Sequence, residues 1–560
     1  MPELIVAAPA KGSVLVCTEG LSFWGGVDAT TGTVIDAYHP QHGASLAGRI
    51  VLMPTSRGSC SGSGVLLELA LNGHAPAALI FRESEDVLTL GAMIATQMFA
   101  RPIAVARLAA SDYEQLANQE WAEIDGTELR TEGMSLPLTQ LSASSLTLTA
   151  DDRAMLAGEH GPAVKLAMES LCTMAAAQGA ERLTDVTRAH IDGCIYASPA
   201  NLIFAQKMAD MGAETCIPTT MNAISVDHDH WRSQGTPADF GLPASQLADA
   251  YVRMGAQPSF TCAPYQAADK PALGEDIGWS ESNAVIYANS VLGARTVKHP
   301  DFLDLFIALT GRAPLSGVYL KENRRAALEI EVALPKGHDD AVWPMLGWLA
   351  GRLAPDCIPL LTGLEGTPLS EDDLRAICAA FGTTSAAPML HISGVTPEGD
   401  LPAKAGAKHV KLGHADFVQA WRTFNAGPEK IDLVALGSPH FSLDEMRAFA
   451  ALMEGRQCHP DVSVIITLSR ATRATAEAEG LLTQLKQAGV QVVQDLCWCS
   501  ISEPVFPPEA KVLMTNSGKY AHYAPGLSGR EVRFGGLRDC AEVAVSGTAA
   551  KGLPEWLLDN

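Results

Sequence analysis

Arg49-Ile-Val-Leu-Met53, Pro54-Thr-Ser-Arg-Gly-Ser-Cys-Ser-Gly-Ser-Gly64 and Val65-Leu-Leu-Glu-Leu-Ala-Leu71 follow one another without interruption. The first is a short apolar run with β-branched members, the second a stretch of small residues, and the third is apolar over a helix-length window. Together they predict strand, Gly/Ser loop and helix. The pattern then repeats: Ala75–Phe81 is a strand, Leu90–Phe99 a helix and Pro102–Ala106 another strand. Such alternation builds a parallel α/β unit, and its length places a small domain at residues 1–135.

Residues 136–148 are polar and without a clear period, and are read as a linker. Thr149-Ala-Asp-Asp152 then offers a helix cap, with Asp in place of the preferred Glu. From 149 to 560, strand-like runs recur at Gly193–Ala197, Ala284–Asn289, Pro388–Ser393, Asp432–Leu436, Val462–Leu468 and Lys511–Thr515, with helical segments between several of them. The large domain is therefore α/β as well. Ser442-Leu-Asp-Glu445 is a capping box, which puts Gly437-Ser-Pro-His440 on a strand-to-helix turn, where open α/β sheets place their ligands.

Composition narrows the function. The chain has 560 residues and 47% hydrophobic content, enough for two to four buried cores. Forty Lys and Arg against 63 Asp and Glu give a net charge of −23, which repels phosphate backbones and anionic lipid, so neither nucleic acid nor a membrane surface is expected as partner. No apolar stretch approaches the ~20 residues of a bilayer span, and Met1–Ala10 lacks the basic start of a signal peptide. A cytoplasmic, soluble protein is expected; the oligomeric state stays open. Twelve cysteines in this length are too few for a disulfide scaffold. Cys17, Cys172, Cys194 and Cys378 lie in apolar contexts and read as core thiols.

Four polar runs stand out as sites. The Gly/Ser loop lets backbone approach an anion at a helix N-terminus, and a tight turn explains it as well. It lacks the Lys-Ser/Thr pair of a phosphate-binding Walker loop. The others are Ile217-Pro-Thr-Thr-Met-Asn222, Gly278-Trp-Ser-Glu-Ser-Asn283 with the following segment to Thr296, and Asn516-Ser-Gly-Lys-Tyr520. Such groups are costly to bury unless paired with one another or with a ligand.

These blocks, with His391-Ile-Ser-Gly-Val-Thr-Pro-Glu398 and Gly437-Ser-Pro-His440, resemble aconitase X in the family's order, and the Gly/Ser loop resembles that family's swivelling domain. The resemblance implies a large aconitase-like, multi-layer α/β catalytic domain behind a smaller swivelling α/β domain that closes over the substrate. It also implies an iron-sulfur cluster, of [2Fe-2S] or [4Fe-4S]/[3Fe-4S] type. The fused order of the two domains implies dehydration of a hydroxy amino acid, cis-3-hydroxy-L-proline, to Δ1-pyrroline-2-carboxylate. Mevalonate 5-phosphate dehydration, and a small-molecule-binding protein without a cluster, are the alternatives.

Within that reading Ser59 is the catalytic base, with Ser61 and Ser63 as fallbacks. Arg57, Gly58, Ser61, Ser63, Thr219, Thr220, Asn222, Ser282, Asn283, Arg295 and Lys519 bind substrate. Ser438 stands where split-subunit members have cysteine, so the cluster ligands are sought in Cys216, Cys357 and Cys497, with Cys499 as substitute. Cys60 stays ambiguous. His391, His440 and His522 are orienting groups or core histidines.

Overall fold

Four strands, Ala10–Val16, Ile50–Met53, Ala78–Phe81 and Ala104–Arg107, lie side by side and parallel in the computed structural model, which describes residues 2–57 and 60–558. Ile50–Met53, Ala78–Phe81 and residues 104–106 are buried and so read apolar rather than alternating, whereas Ala10–Val16 is only partly buried and carries Lys11 and Ser13. The helices Gly62–Asn72 and Val87–Phe99 are the crossovers. Glu3–Val6 runs antiparallel along one edge, and Thr139–Gln140 pairs beside it. On the other side an antiparallel meander, Trp121–Asp125, Glu128–Arg130 and Ser135–Pro137, completes a nine-stranded sheet. Part of the segment read as a linker, 136–148, is thus sheet.

The chain divides into two compact units. Unit 1 comprises residues 1–219, 249–256 and 298–317, and unit 2 the remainder. Beyond the sheet, unit 1 holds the helices Pro162–Ala177, Pro199–Asp210 and Leu303–Thr310. Thr149 does cap the helix Ala150–Ala157, with Asp152 returning a bond to the Thr149 amide; Asp152 is then fixed by Arg312 at 2.8 Å. The strand expected at Gly193–Ala197 is absent: pairing ends at Ile191, because the Asp304 carboxylate accepts the Asp192 and Gly193 amides (2.6 and 3.1 Å) and removes them from any ladder.

Unit 2 contains two all-parallel sheets. One orders His391–Ile392, Pro359–Thr362, Leu328–Val332 and Lys408–Leu412. The other orders Val490–Gln494, Ser463–Leu468, Leu433–Leu436, Val512–Thr515 and Glu531–Phe534. Ser442 and Glu445 form the expected capping box on the helix Leu443–Leu452. The strand expected at Ala284–Asn289 is a helix, Ser282–Tyr287, running into a π-turn over Ala288–Leu292. Glu281 decides this, since its carboxylate accepts the Ala284 amide and caps the first turn. Among the described residues no helix is long and apolar enough to cross a membrane.

Candidate active site

The carboxyl ends of three strands of the five-stranded sheet carry the polar blocks singled out in the sequence. Leu433–Leu436 leads into Gly437-Ser438-Pro439-His440, Val490–Gln494 into Asp495-Leu496-Cys497-Trp498-Cys499, and Val512–Thr515 into Asn516-Ser517-Gly518 and the helix Gly518–Ser528. Gly437 opens its turn at φ 98°, and a Cβ there would lie 2.1 Å from the Thr467 carbonyl oxygen, so the turn requires glycine. Asp495 also holds a left-handed φ, 69°. It is locked by a two-point ion pair with Arg470 (2.8 and 2.7 Å) and by the His228 amide.

Cys497 is thereby brought to Cys499 and to Cys262, which arrives on a separate loop. The Cys262 and Cys499 thiols both donate to Cys497 and hold it well below the usual thiol pKa; Lys519 and His440 add to the effect. The same contacts push the Cys262 and Cys499 thiols up. Among the described residues no set of three or more His, Cys, Asp or Glu side chains is laid out as a metal-ion site. As donor chemistry, however, three clustered cysteines, Cys262 and Cys497 buried and Cys499 half-buried, with a cation beside them match what iron-sulfur clusters take.

A polar frame surrounds the trio. Lys519 bonds Glu281 at 2.9 Å, both side chains being 7% exposed. Burial works against the Lys519 charge, yet Glu281 and the cysteines hold its pKa well above the usual lysine value. Glu281 also accepts from Asn283, whose amide nitrogen donates to the Cys262 carbonyl (2.9 Å) and whose oxygen accepts from Tyr265 (2.7 Å). His440 presents its main-chain N–H to the Cys262 sulfur at 3.3 Å, and its ring nitrogens face the Leu496 carbonyl (2.6 Å) and the Thr261 hydroxyl (3.2 Å). Burial lowers the pKa of that ring.

Of the residues expected from sequence, Cys497, Cys499, Asn283 and Lys519 come together here, and Asn222 caps the amide of Ala223, which packs against the thiols. Cys216 does not: it is an exposed residue of unit 1 beside Gly311. Nor does Cys357, which is half-buried beside Asp356, Lys404 and Lys408. Thr219 bonds its own chain at the Ile217 carbonyl. Thr220 forms an isolated bridge with Gln257, Ser282 opens its helix, and Arg295 bridges Asp276 through the main chain. His391 is a core histidine on the Arg324 carbonyl, and His522 contacts Trp348. Cys262, Glu281 and Tyr265 were missed; the polar turn Thr261-Cys-Ala-Pro264 is the signal that marks the first of them.

In unit 1, Ser59 and Gly58 lie outside the described residues. Arg57 pairs with Asp36 (3.0 Å) and Glu19 (3.6 Å). Ser63 donates to the carbonyls of Val87 and Cys60. Ser61 hydrogen-bonds Asp301, whose pKa burial and the neighbouring Asp304 charge push up to about 7. Burial and the same acids push the Cys60 thiol up.

Family models match in four consecutive pieces: the aconitase X swivel domain at residues 2–132, first domain at 145–322, second domain at 326–422 and third domain at 431–546. The chain is 50% identical to cis-3-hydroxy-L-proline dehydratase of Pseudomonas aeruginosa, covering 100% of this chain and 99% of that one. It is 45% identical to cis-3-hydroxy-L-proline dehydratase of Hypocrea jecorina over 99% and 96% of the two chains. Among solved structures, aconitase X of Thermococcus kodakaraensis in its holo-form superposes with a TM-score of 0.65 at 29% identity, covering 71% of this chain and all of that one.

Proposed function

This chain belongs to the aconitase X family, and on that premise we propose that it is a hydro-lyase that removes water from cis-3-hydroxy-L-proline and yields Δ1-pyrroline-2-carboxylate. Identity to a dehydratase of that substrate at one residue in two, over the full length of both chains, carries the reading. The setting around the thiols agrees with it: the two nearby cations, Lys519 and Arg375, are matched by Glu281 and by Glu445 and Asp372. Among the described residues around the thiols no unmatched positive charge is left for a phosphate dianion, which disfavours mevalonate 5-phosphate.

Cys262, Cys497 and Cys499 are the proposed holders of an iron-sulfur cluster, replacing the set Cys216, Cys357 and Cys497. Held by these three thiolates, such a cluster would supply Lewis-acid assistance to the departing 3-hydroxyl. The protein's own part is to collect the sulfurs, offset their charge with Lys519 and hold the Cys262 loop through Asn283 and His440.

Ser59 is the proposed base for the Cα proton, and the enamine formed as hydroxide leaves C3 tautomerises to the product. Ser63 is bonded to main-chain carbonyls. The Ser61 contact with Asp301, a carboxyl able to take a proton, makes Ser61 the alternative. With all its cysteines free, the protein suits a reducing compartment, the cytoplasm.

Turnover followed by NMR under anaerobic conditions tests the reading. The iron-replete protein is expected to consume cis-3-hydroxy-L-proline and leave the trans epimer and mevalonate 5-phosphate untouched. No consumption of the cis compound, or consumption of the phosphate ester alone, overturns it.

A further inference from the structure

A small cavity of ≈ 30 Å³ opens in unit 2 between the Gly437 turn and the start of the helix Gly518–Ser528. Helix geometry leaves the first amides, Gly518 and Lys519, without intrahelical carbonyls, while Ser517 caps the Tyr520 amide (3.0 Å) and donates to the Ser438 carbonyl. Ser438 lines the cavity, is 5% exposed, and its hydroxyl has no hydrogen-bond partner among the described residues. Asn516 completes this side.

We propose that this cavity is the subsite for the substrate carboxylate, with Ser438 and the Gly518 and Lys519 amides as its donors; this deepens the dehydratase reading and rests on it. A buried hydroxyl without a partner loses free energy until a ligand supplies one. Its neighbours are main-chain N–H groups at the positive end of an 11-residue helix, which favour an anion. The wall is also limited in charge. Its acid, Glu445, is tied to Arg375, and Lys519 to Glu281, which suits one negative charge rather than two. The location fits as well: Lys519 faces both the cavity and the thiols, and His440, two residues beyond Ser438, donates to Cys262. A carboxylate bound here places the adjoining Cα and C3 next to the proposed cluster ligands, so Ser438 acts in substrate binding rather than in the chemical step.

The test uses the whole, iron-loaded protein and L-proline, which keeps the ring and carboxylate but has no 3-hydroxyl to lose. Calorimetric titration should show Ser438→Ala binding L-proline about tenfold more weakly than wild type, and Asn516→Ala weakened in the same sense. L-prolinamide, which lacks the carboxylate, should bind wild type and Ser438→Ala alike. With cis-3-hydroxy-L-proline the KM of Ser438→Ala should rise by a similar factor, kcat staying within a few-fold, and iron content should match wild type. Unchanged L-proline affinity and KM in a folded Ser438→Ala protein overturns the subsite; if that variant does not fold, unchanged affinity in Asn516→Ala overturns it. Because L-proline binding is read without turnover, a wild type that binds it through Ser438 yet does not dehydrate the hydroxylated compound refutes the reaction and leaves the subsite standing.

Discussion

Two thiols donate to Cys497 and, with Lys519 beside it, hold its pKa well below the usual thiol value. Cys262→Ser, Cys497→Ser and Cys499→Ser are each expected to lose most of the iron and visible absorbance, whereas Cys216→Ser and Cys357→Ser keep both. Metal analysis and an anaerobic spectrum decide; wild-type iron in the first three removes the trio from the proposal. Cys497 and Cys499 were reached through the family resemblance, as cysteines to stand in where Ser438 replaces one. Cys262 was not, since its loop has no period and only the fold carries it to the others. The Lys519–Glu281 pair was half legible, Lys519 standing in a recognisable block and Glu281 looking like one more polar residue of a turn. Lys519→Met leaves a buried carboxylate without its cation, and chemical denaturation should show a loss of about 3–5 kcal/mol. A loss below 1 kcal/mol would mean that water reaches Glu281.

At the scale of elements, the site depends on what happens where strands stop. Parallel strands end together, so three loops distant in sequence become neighbours, and each needs a backbone that turns at once. Gly437 is the strictest of these positions, by its φ and by the 2.1 Å approach a Cβ would make to the Thr467 carbonyl. Gly437→Ala is expected to lower the melting temperature by many degrees and to reduce soluble yield, whereas Gly526→Ala, where a Cβ meets nothing within 4 Å, should melt like wild type. Equal melting of the two variants would show that the turn relaxes. The element misread from sequence is instructive here. Ala284-Val-Ile-Tyr-Ala288 is apolar without a break, and such a run has no period with which to tell strand from helix. The capping carboxylate one turn earlier settles it, and it turns Asn283 towards Cys262.

For the whole molecule, composition and alternation carried the main architecture: an acidic α/β chain, parallel at its core, with its polar blocks after strands. What they did not carry is how far each unit extends, because residues 249–256 and 298–317 return to unit 1 from the middle of the other, and only packing records such a return. One consequence of the return is a buried acid cluster in unit 1, where Asp301 lies beside Asp304 and against Ser61. Folding raises the Asp301 pKa from an ordinary 3.8 to about 7. Below pH about 4, folded and unfolded chains both keep its proton; between about 4 and 7 only the folded chain does. The unfolded state binds fewer protons there, so this residue's contribution to stability falls as pH rises through that window and stays at its lower level above it. Asp301→Asn mimics the protonated acid and removes the dependence. The variant should therefore melt with wild type near pH 4 and a few degrees above it at pH 8. An offset of the same size at both pH values would mean that Asp301 does not titrate in this window, and that the native cluster is charged throughout.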